Sequence, residues 1–268
     1  MASRNWGEAD RRVLASVVGV LTDIDDTLTC DGAIEPAARG ALQRLRAAGV
    51  PVIAITGRPM GWSEPFVRDG TLPVIVAENG AVALFDEGGR PRIEYEQDDA
   101  TRAANAGALR RVAERIVREV PAATPARDSA GRVTDIAIDH SEFVQLDRDT
   151  IERVVALMRS EGMSVTVSSI HINGWFGAHT KLTGARWIVR RLYGRDLDGE
   201  LGRWVYVGDS TNDQEMFAHF PLSVGVANLL RFASELTVWP TYITTGERGA
   251  GFAEVADSLI AARGRSAG

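Results

Sequence analysis

Three carboxylates and a threonine stand within five positions at Asp23-Ile24-Asp25-Asp26-Thr27, directly after the apolar run 17–21. A strand ending there would carry Asp23 and Asp25 out together. Two carboxylates so close repel one another unless a cation lies between them, and hard oxygen donors at one spot imply Mg²⁺ with several of its waters retained. A second acidic stretch, Gly208-Asp209-Ser210-Thr211-Asn212-Asp213, follows another short apolar run at 204–207. Thr56-Gly57-Arg58-Pro59 closes a third run at 50–55 and offers a hydroxyl and backbone N–H groups. Lys181 is the only lysine in a chain with 30 basic residues. Where every other cationic position is arginine, a lone lysine points to a place that needs a compact ammonium, and lysine is the point-charge binder of phosphate.

The elements that must hold these residues read as a parallel α/β sheet. The runs 17–22, 50–55 and 73–77 are apolar throughout, as strands covered on both faces are, and such sheets bind ligands at the carboxyl ends of their strands. Residues 36–49 between the first two have helical spacing at Ala38, Leu42 and Leu45, with Pro36 at the start and Gly49 at the end. The third strand closes in Glu78-Asn79-Gly80. A helix at 183–193, strands at 204–207 and 222–226 and a closing helix at 251–263 complete the pattern. Between them the texture changes. Residues 83–85 and 91–95 suggest an antiparallel hairpin, 98–120 a long helix, 132–139 another hairpin-like stretch and 149–160 a helix. Val165 and Val167, then Ile170 and Ile172, alternate with polar residues but change phase at Ser168-Ser169, which predicts a bulge or strand break. An α+β domain inserted into an α/β core is therefore expected.

Composition narrows the classes. A length of 268 residues with 45% apolar content suits one large or two modest globular domains. A net charge of -6 with no basic stripe argues against a nucleic-acid binder, and no run nears the roughly 18 apolar residues of a membrane span. Arg11 and Arg12 before the run 13–21 imitate a short signal peptide, but no small-residue cleavage site follows and the carboxylates begin at once, so a strand is the better reading. The single Cys30 excludes an internal disulfide and favours a reducing, cytoplasmic setting.

Acidic or hydroxyl residues at three strand ends, with Lys181 between the last two, make the chain resemble the haloacid dehalogenase superfamily of aspartate-nucleophile phosphohydrolases. All four of its motifs can be matched in order, Asp23-Ile24-Asp25-Asp26-Thr27 standing for Asp-x-Asp-x-Thr. The insertion is similar to the large cap of the Cof-type branch (subfamily IIB), which includes sucrose-phosphate, trehalose-phosphate and mannosyl-3-phosphoglycerate phosphatases and phosphomannomutase. The resemblance implies a Rossmann-like core at 1–82 and 180–268 with a cap at 83–179. It further implies Asp23 as nucleophile, Asp25 as general acid and base, and Thr56 and Lys181 on the phosphoryl oxygens. Mg²⁺ would be held by the Asp23 carboxylate, the Asp25 main-chain carbonyl and Asp209, with Asp213 nearby. Thr180-Lys181-Leu182 replaces the frequent Asp-Lys-Gly, and Asp26 the frequent Gly. Neither change removes a reacting group.

The implied activity is a Mg²⁺-dependent phosphatase for a small phosphorylated sugar or sugar derivative, with the cap choosing the substrate. Expected substrate contacts are Thr27, Gly57, Arg58, Asn79, His171, Asn173 and Asn212, the last also shaping the acidic loop with Ser210. Arg127 and Arg132 are candidates on cap loops, and Trp175 lies near the cap hinge. His140 and His219 read as ordinary histidines. A phosphosugar mutase would need a cationic cap site for a second phosphate, which Arg127 and Arg132 could supply. A non-catalytic sugar-phosphate sensor would have no need of Asp25. The sequence leaves the oligomeric state open.

Overall fold

The structure, a computed structural model, describes residues 3–264. Its central sheet has nine strands, in spatial order Arg4–Asn5, Tyr242–Ile243, Leu222–Gly225, Trp204–Gly208, Gly19–Thr22, Val52–Ile55, Val74–Ala77, Val82–Asp86 and Pro91–Tyr95. The first seven are parallel, and Val82–Asp86 runs antiparallel between Val74–Ala77 and Pro91–Tyr95. Gly19–Thr22, Val52–Ile55 and Val74–Ala77 are buried along their whole length because helices cover both faces. One layer packs Pro36–Ala47 and Arg248–Gly264 against Val20, Ala54 and Val205. The other packs Lys181–Tyr193 and Gln214–His219 against Leu21, Ile53 and Tyr206.

The inserted unit is a four-stranded antiparallel sheet, in the order Ser164–Val167, His171–Trp175, Asp135–Asp139 and Thr124–Pro125. Helices Asp99–Glu119 and Arg148–Ser160 cover one face, where Leu109, Ile116, Val154 and Met158 meet Ile138 and Ile172. Strand alternation then sends Asp135, Asp139, His171, Asn173 and Trp175 to the other face. All five are buried. The change of phase at Ser168-Ser169 is a tight turn between two paired strands, closed by Ser168 N–H donating to His171 O at 2.9 Å.

The hairpin placed by its sequence at the start of the cap instead extends the central sheet. Val82–Asp86 pairs antiparallel with Val74–Ala77, and Ala83, Leu84 and Phe85 are divided between the two core layers. An expected cap start at residue 83 is thus corrected, and the chain leaves the central sheet only after Tyr95. Helix Met60–Arg68 escapes sequence reading because Gly61 and Pro65 interrupt its periodicity.

One close approach fixes the position of Lys181. Gly80 has φ +110°, and a Cβ there would lie 2.1 Å from Thr180 O; a Cβ on Gly184 would lie 2.6 Å from Gly80 Cα. Helix Lys181–Tyr193 can therefore dock end-on against the Val74–Ala77 strand end. Thr180 caps it, its hydroxyl accepting from Thr183 N–H at 3.3 Å while Thr183 Oγ1 accepts from Thr180 N–H at 2.8 Å.

Candidate active site

Asp23 leaves the end of Gly19–Thr22 with its backbone N–H tied to Val207 O at 2.8 Å, so the two acidic strand ends are registered by the sheet itself. Lys181 Nζ donates at 2.7 Å to Asp23 Oδ1 and at 2.7 Å to Asp213 Oδ1. Burial works against the ammonium charge, but Asp213 and Asp23 outweigh it and hold Lys181 well above its usual range. Asp23 is pushed up to about 7, chiefly by burial, against which Lys181 works.

Asp213 accepts from Lys181, from Tyr206 Oη, and from the N–H groups of Asp209 (2.9 Å) and Ser210 (3.1 Å). Four donors saturate its two oxygens. It reads as the anchor of Lys181, the role left open by the missing Asp-Lys-Gly aspartate, rather than as a free metal donor. Thr27, expected to meet substrate, is fully buried and donates to Asp209 Oδ1 at 3.4 Å; Asn228 Nδ2 approaches Asp209 Oδ2 at 3.5 Å.

The donor set suits a hard divalent cation. Carboxylate oxygens of Asp23, Asp209 and Asp213 lie within 4.8 Å of one another, all buried. No cationic side chain hydrogen-bonds Asp209 among the described residues, and its carboxyl is driven well above the usual range by burial and by the charges of Asp23, Asp213 and Asp26. One ammonium among three buried carboxylates leaves the cluster short of positive charge.

Asp25 turns the other way, and both its oxygens accept from Arg58 Nε, at 2.9 and 3.0 Å. Burial raises its pKa, and Arg58 works against that rise. Arg58, 4% exposed, extends to the cap: its Nη2 donates to Glu142 Oε1 at 2.7 Å and its Nη1 to Asp128 Oδ2 at 3.2 Å. His171 Nε2 meets Glu142 Oε2 at 2.8 Å. Arg58 and His171, both foreseen as substrate contacts, are thus joined through a cap carboxylate that sequence reasoning did not single out. Thr56 Oγ1 accepts from Arg58 N–H at 3.0 Å, which folds the Thr56-Gly57-Arg58 turn. Onto the carbonyl of Gly57 the cap docks two side chains, Arg132 Nη1 at 2.9 Å and Asn173 Nδ2 at 3.3 Å.

Glu78 is a second core–cap tie. Its carboxylate accepts from Met60 N–H in the core and from the N–H groups of Val133 and Thr134 and the Thr134 hydroxyl in the cap. Arg127 lies over the Phe143 ring, 3.6 Å from its centroid, and Arg132 is committed to Asp128 and Asp135, so the two do not form a free cationic pair. Trp175 donates to His179 O at 3.0 Å and stacks on its ring. Asn212 accepts from Ser210 Oγ at 2.9 Å. Tyr206, Asn228, Glu78, Asp128, Asp135 and Glu142 all support the site yet carry no motif; all but Tyr206, which reaches Asp213 across one loop, depend on a partner distant in sequence.

The cap latch at Glu142 has a pH signature. Partial burial works against its charge, but His171 and Arg58 outweigh this and pull the carboxyl down to about 2 from 4.5. A carboxyl depressed in the folded state stabilises above its unfolded pKa, and that stability fades as pH falls towards the folded value. The shift corresponds to about 3 kcal/mol. Glu142→Gln is therefore expected to lower Tm at pH 6, with the deficit shrinking by more than half between pH 5 and pH 3 in thermal melts. A deficit independent of pH would remove the charge from the latch.

Carboxylates held against a fixed ammonium at parallel strand ends, beneath a second domain, form an arrangement suited to a phosphoryl group and a divalent cation. The model of the haloacid dehalogenase-like hydrolases matches residues 20–102. A phosphoglycolate phosphatase of Pyrobaculum neutrophilum (strain DSM 2338 / JCM 9278 / NBRC 100436 / V24Sta) is 26% identical over 245 residues, covering 90% of this chain and 95% of the relative. Among solved structures, a Thermoplasma acidophilum protein superposes with a TM-score of 0.70 at 15% identity, over 91% of this chain and 98% of its own. The sucrose-phosphatase of Synechocystis sp. PCC6803, solved with sucrose and phosphate, gives 0.64 at 16% identity, over 90% and 97%. The chain is thus similar to the haloacid dehalogenase-like hydrolases over residues 20–102 and to a phosphatase over most of its length.

Proposed function

We propose that the protein is a Mg²⁺-dependent phosphatase that hydrolyses a small phosphorylated sugar or sugar derivative through an aspartyl-phosphate on Asp23, in the cytoplasm. The observation that supports this most is Lys181 Nζ at 2.7 Å from both Asp23 and Asp213. An ammonium so fixed sits where a phosphoryl oxygen must come if Asp23 attacks phosphorus, and it stabilises the charge that spreads there. Thr56 is the hydroxyl on the neighbouring strand end. Asp23, Asp209 and the Asp25 main-chain carbonyl would hold Mg²⁺, which screens the anionic phosphate from the carboxylate that attacks it.

Asp25 gives its proton to the leaving oxygen and then takes one from the water that opens the acyl phosphate. Burial favours the protonated acid this requires, while Arg58 orients it. Cap closure over Gly57 excludes bulk water during both transfers. The mutase alternative needs a free cationic site in the cap. Arg127 and Arg132 supply none, being spent on Phe143, Asp128 and Asp135.

Inorganic phosphate release from phosphosugars, glycosyl-phosphoglycerates and 2-phosphoglycolate, with and without Mg²⁺, tests the reading. Release is expected only with the metal, and highest from a sugar ester. Metal-independent release, or binding of the sugar esters with no release from any of them, would overturn it.

A further inference from the structure

Between cap and core runs a cleft of about 1290 Å³ that opens onto Lys181. Most buried polar side chains of the molecule find a partner. Among the described residues, those lining this cleft with an unpartnered buried polar atom are two, Asn79 on the core wall and Thr166 on the cap wall. Asn79 is 1% exposed and neither its Oδ1 nor its Nδ2 is hydrogen-bonded; Thr166 Oγ1 is equally alone. Buried polar groups are costly to leave unpaired, so an unpaired amide and hydroxyl in the wall of a cleft suit a partner from outside the chain.

Their placement is tied to the reacting centre. A Cβ built on Gly57 would meet Asn79 Oδ1 at 3.3 Å and Asn173 Oδ1 at 3.3 Å, so the two amides converge over the Thr56-Gly57-Arg58 turn. Thr166 pairs directly with Asn173 across the cap sheet and shares its face. Asn79 is held there by backbone, with φ +57° and its N–H on Thr56 O at 3.0 Å.

Close to the reacting centre the cations are already matched, while Arg159, on the cap helix Arg148–Ser160, also lines the cleft without an ion pair among the described residues. Arg58 serves Asp25, Asp128 and Glu142, Arg132 serves Asp128 and Asp135, and Lys181 serves Asp23 and Asp213. Hydroxyl groups, which donate and accept, fit an amide and a hydroxyl left unpaired.

Resting on the phosphatase reading, we propose that Asn79 and Thr166 form the subsite that reads hydroxyls of the leaving group, making the substrate a polyhydroxylated phosphomonoester. Glycine accepts a positive φ, so Asn79→Gly removes the amide without straining the backbone, and Thr166→Val removes one hydroxyl at nearly constant shape.

The test measures kcat/KM with Mg²⁺ for wild type and both variants on glucose 6-phosphate, trehalose 6-phosphate, 2-phosphoglycolate and p-nitrophenyl phosphate, the last having no leaving-group hydroxyl beyond the one released. Wild type is expected to prefer a sugar ester over 2-phosphoglycolate. Each variant should lose about tenfold more on that sugar ester than on p-nitrophenyl phosphate, the worth of one hydrogen bond read by the site. Equal losses on both, or wild-type preference for 2-phosphoglycolate, would overturn the subsite while leaving the phosphatase standing. No wild-type hydrolysis of p-nitrophenyl phosphate or any other ester would overturn the phosphatase reading, and the subsite with it.

Discussion

Asp23→Asn leaves the protein folded and cuts phosphate release by at least about 10⁴-fold, the scale on which covalent nucleophiles fail when removed. The fold should survive because the carboxylate charge is not what holds Asp23 in place. Its N–H bonds Val207 O within the sheet, and burial already opposes the ionised form, raising the carboxyl to about 7. An amide of the same shape still offers an oxygen to Lys181 Nζ, now 2.7 Å from Asp23 Oδ1. It cannot attack phosphorus. Thermal melts should therefore agree with wild type within a few degrees while phosphate release on the best sugar ester disappears. Residual release within tenfold of wild type would move the nucleophile elsewhere, to Asp25 or Asp26 on the same strand end, of which Asp26 is held by Arg248 Nε at 2.9 Å.

The reacting groups were legible because their chemistry is local in sequence. Asp23 and Asp25 are two residues apart, Thr56-Gly57-Arg58 is one turn, and Asp209 to Asp213 one loop; each follows an apolar run whose strand character fixes where it emerges. Lys181 was legible by composition alone. The groups that hold these in register were not, since Tyr206 reads as one more buried aromatic in the apolar strand Trp204–Gly208 and declares itself only through its hydrogen bond to Asp213. Glu142 lies 84 residues from Arg58, and Glu78 lies 56 from Thr134. Such pairs are made by cap docking, which periodicity does not encode. The same limit explains the misplaced domain boundary: residues 82–95 alternate as any hairpin does, and which sheet they join depends on the free edge of Val74–Ala77. His171 and Asn173 show the converse. Polar residues on an alternating strand ordinarily face water, but here that face is turned to the core and both are buried.

Lys181→Met and Lys181→Arg should both fail, for different reasons. Methionine fills the slot without a charge, leaving Asp23 and Asp213 buried and uncompensated, and breaking a buried pair by removing one partner costs about 3–5 kcal/mol. The variant is expected to melt well below wild type and to lose about 10³-fold or more in kcat, since the phosphoryl oxygens lose their fixed cation. Arginine restores the charge but not the fit. Nζ reaches both carboxylates at 2.7 Å from a side chain 4% exposed, at the first turn of a helix whose position is set by the Gly80–Gly184 contact. A planar guanidinium is too broad for a point midway between two oxygens and cannot retreat, because the helix cannot. Lys181→Arg should therefore recover part of the lost Tm while remaining at least about 10²-fold below wild type in kcat. That split is the decisive reading, because charge alone governs the first quantity and charge at a defined point governs the second. Full activity with arginine would mean that the site asks only for a cation, and that the single lysine of the chain stands there without chemical reason.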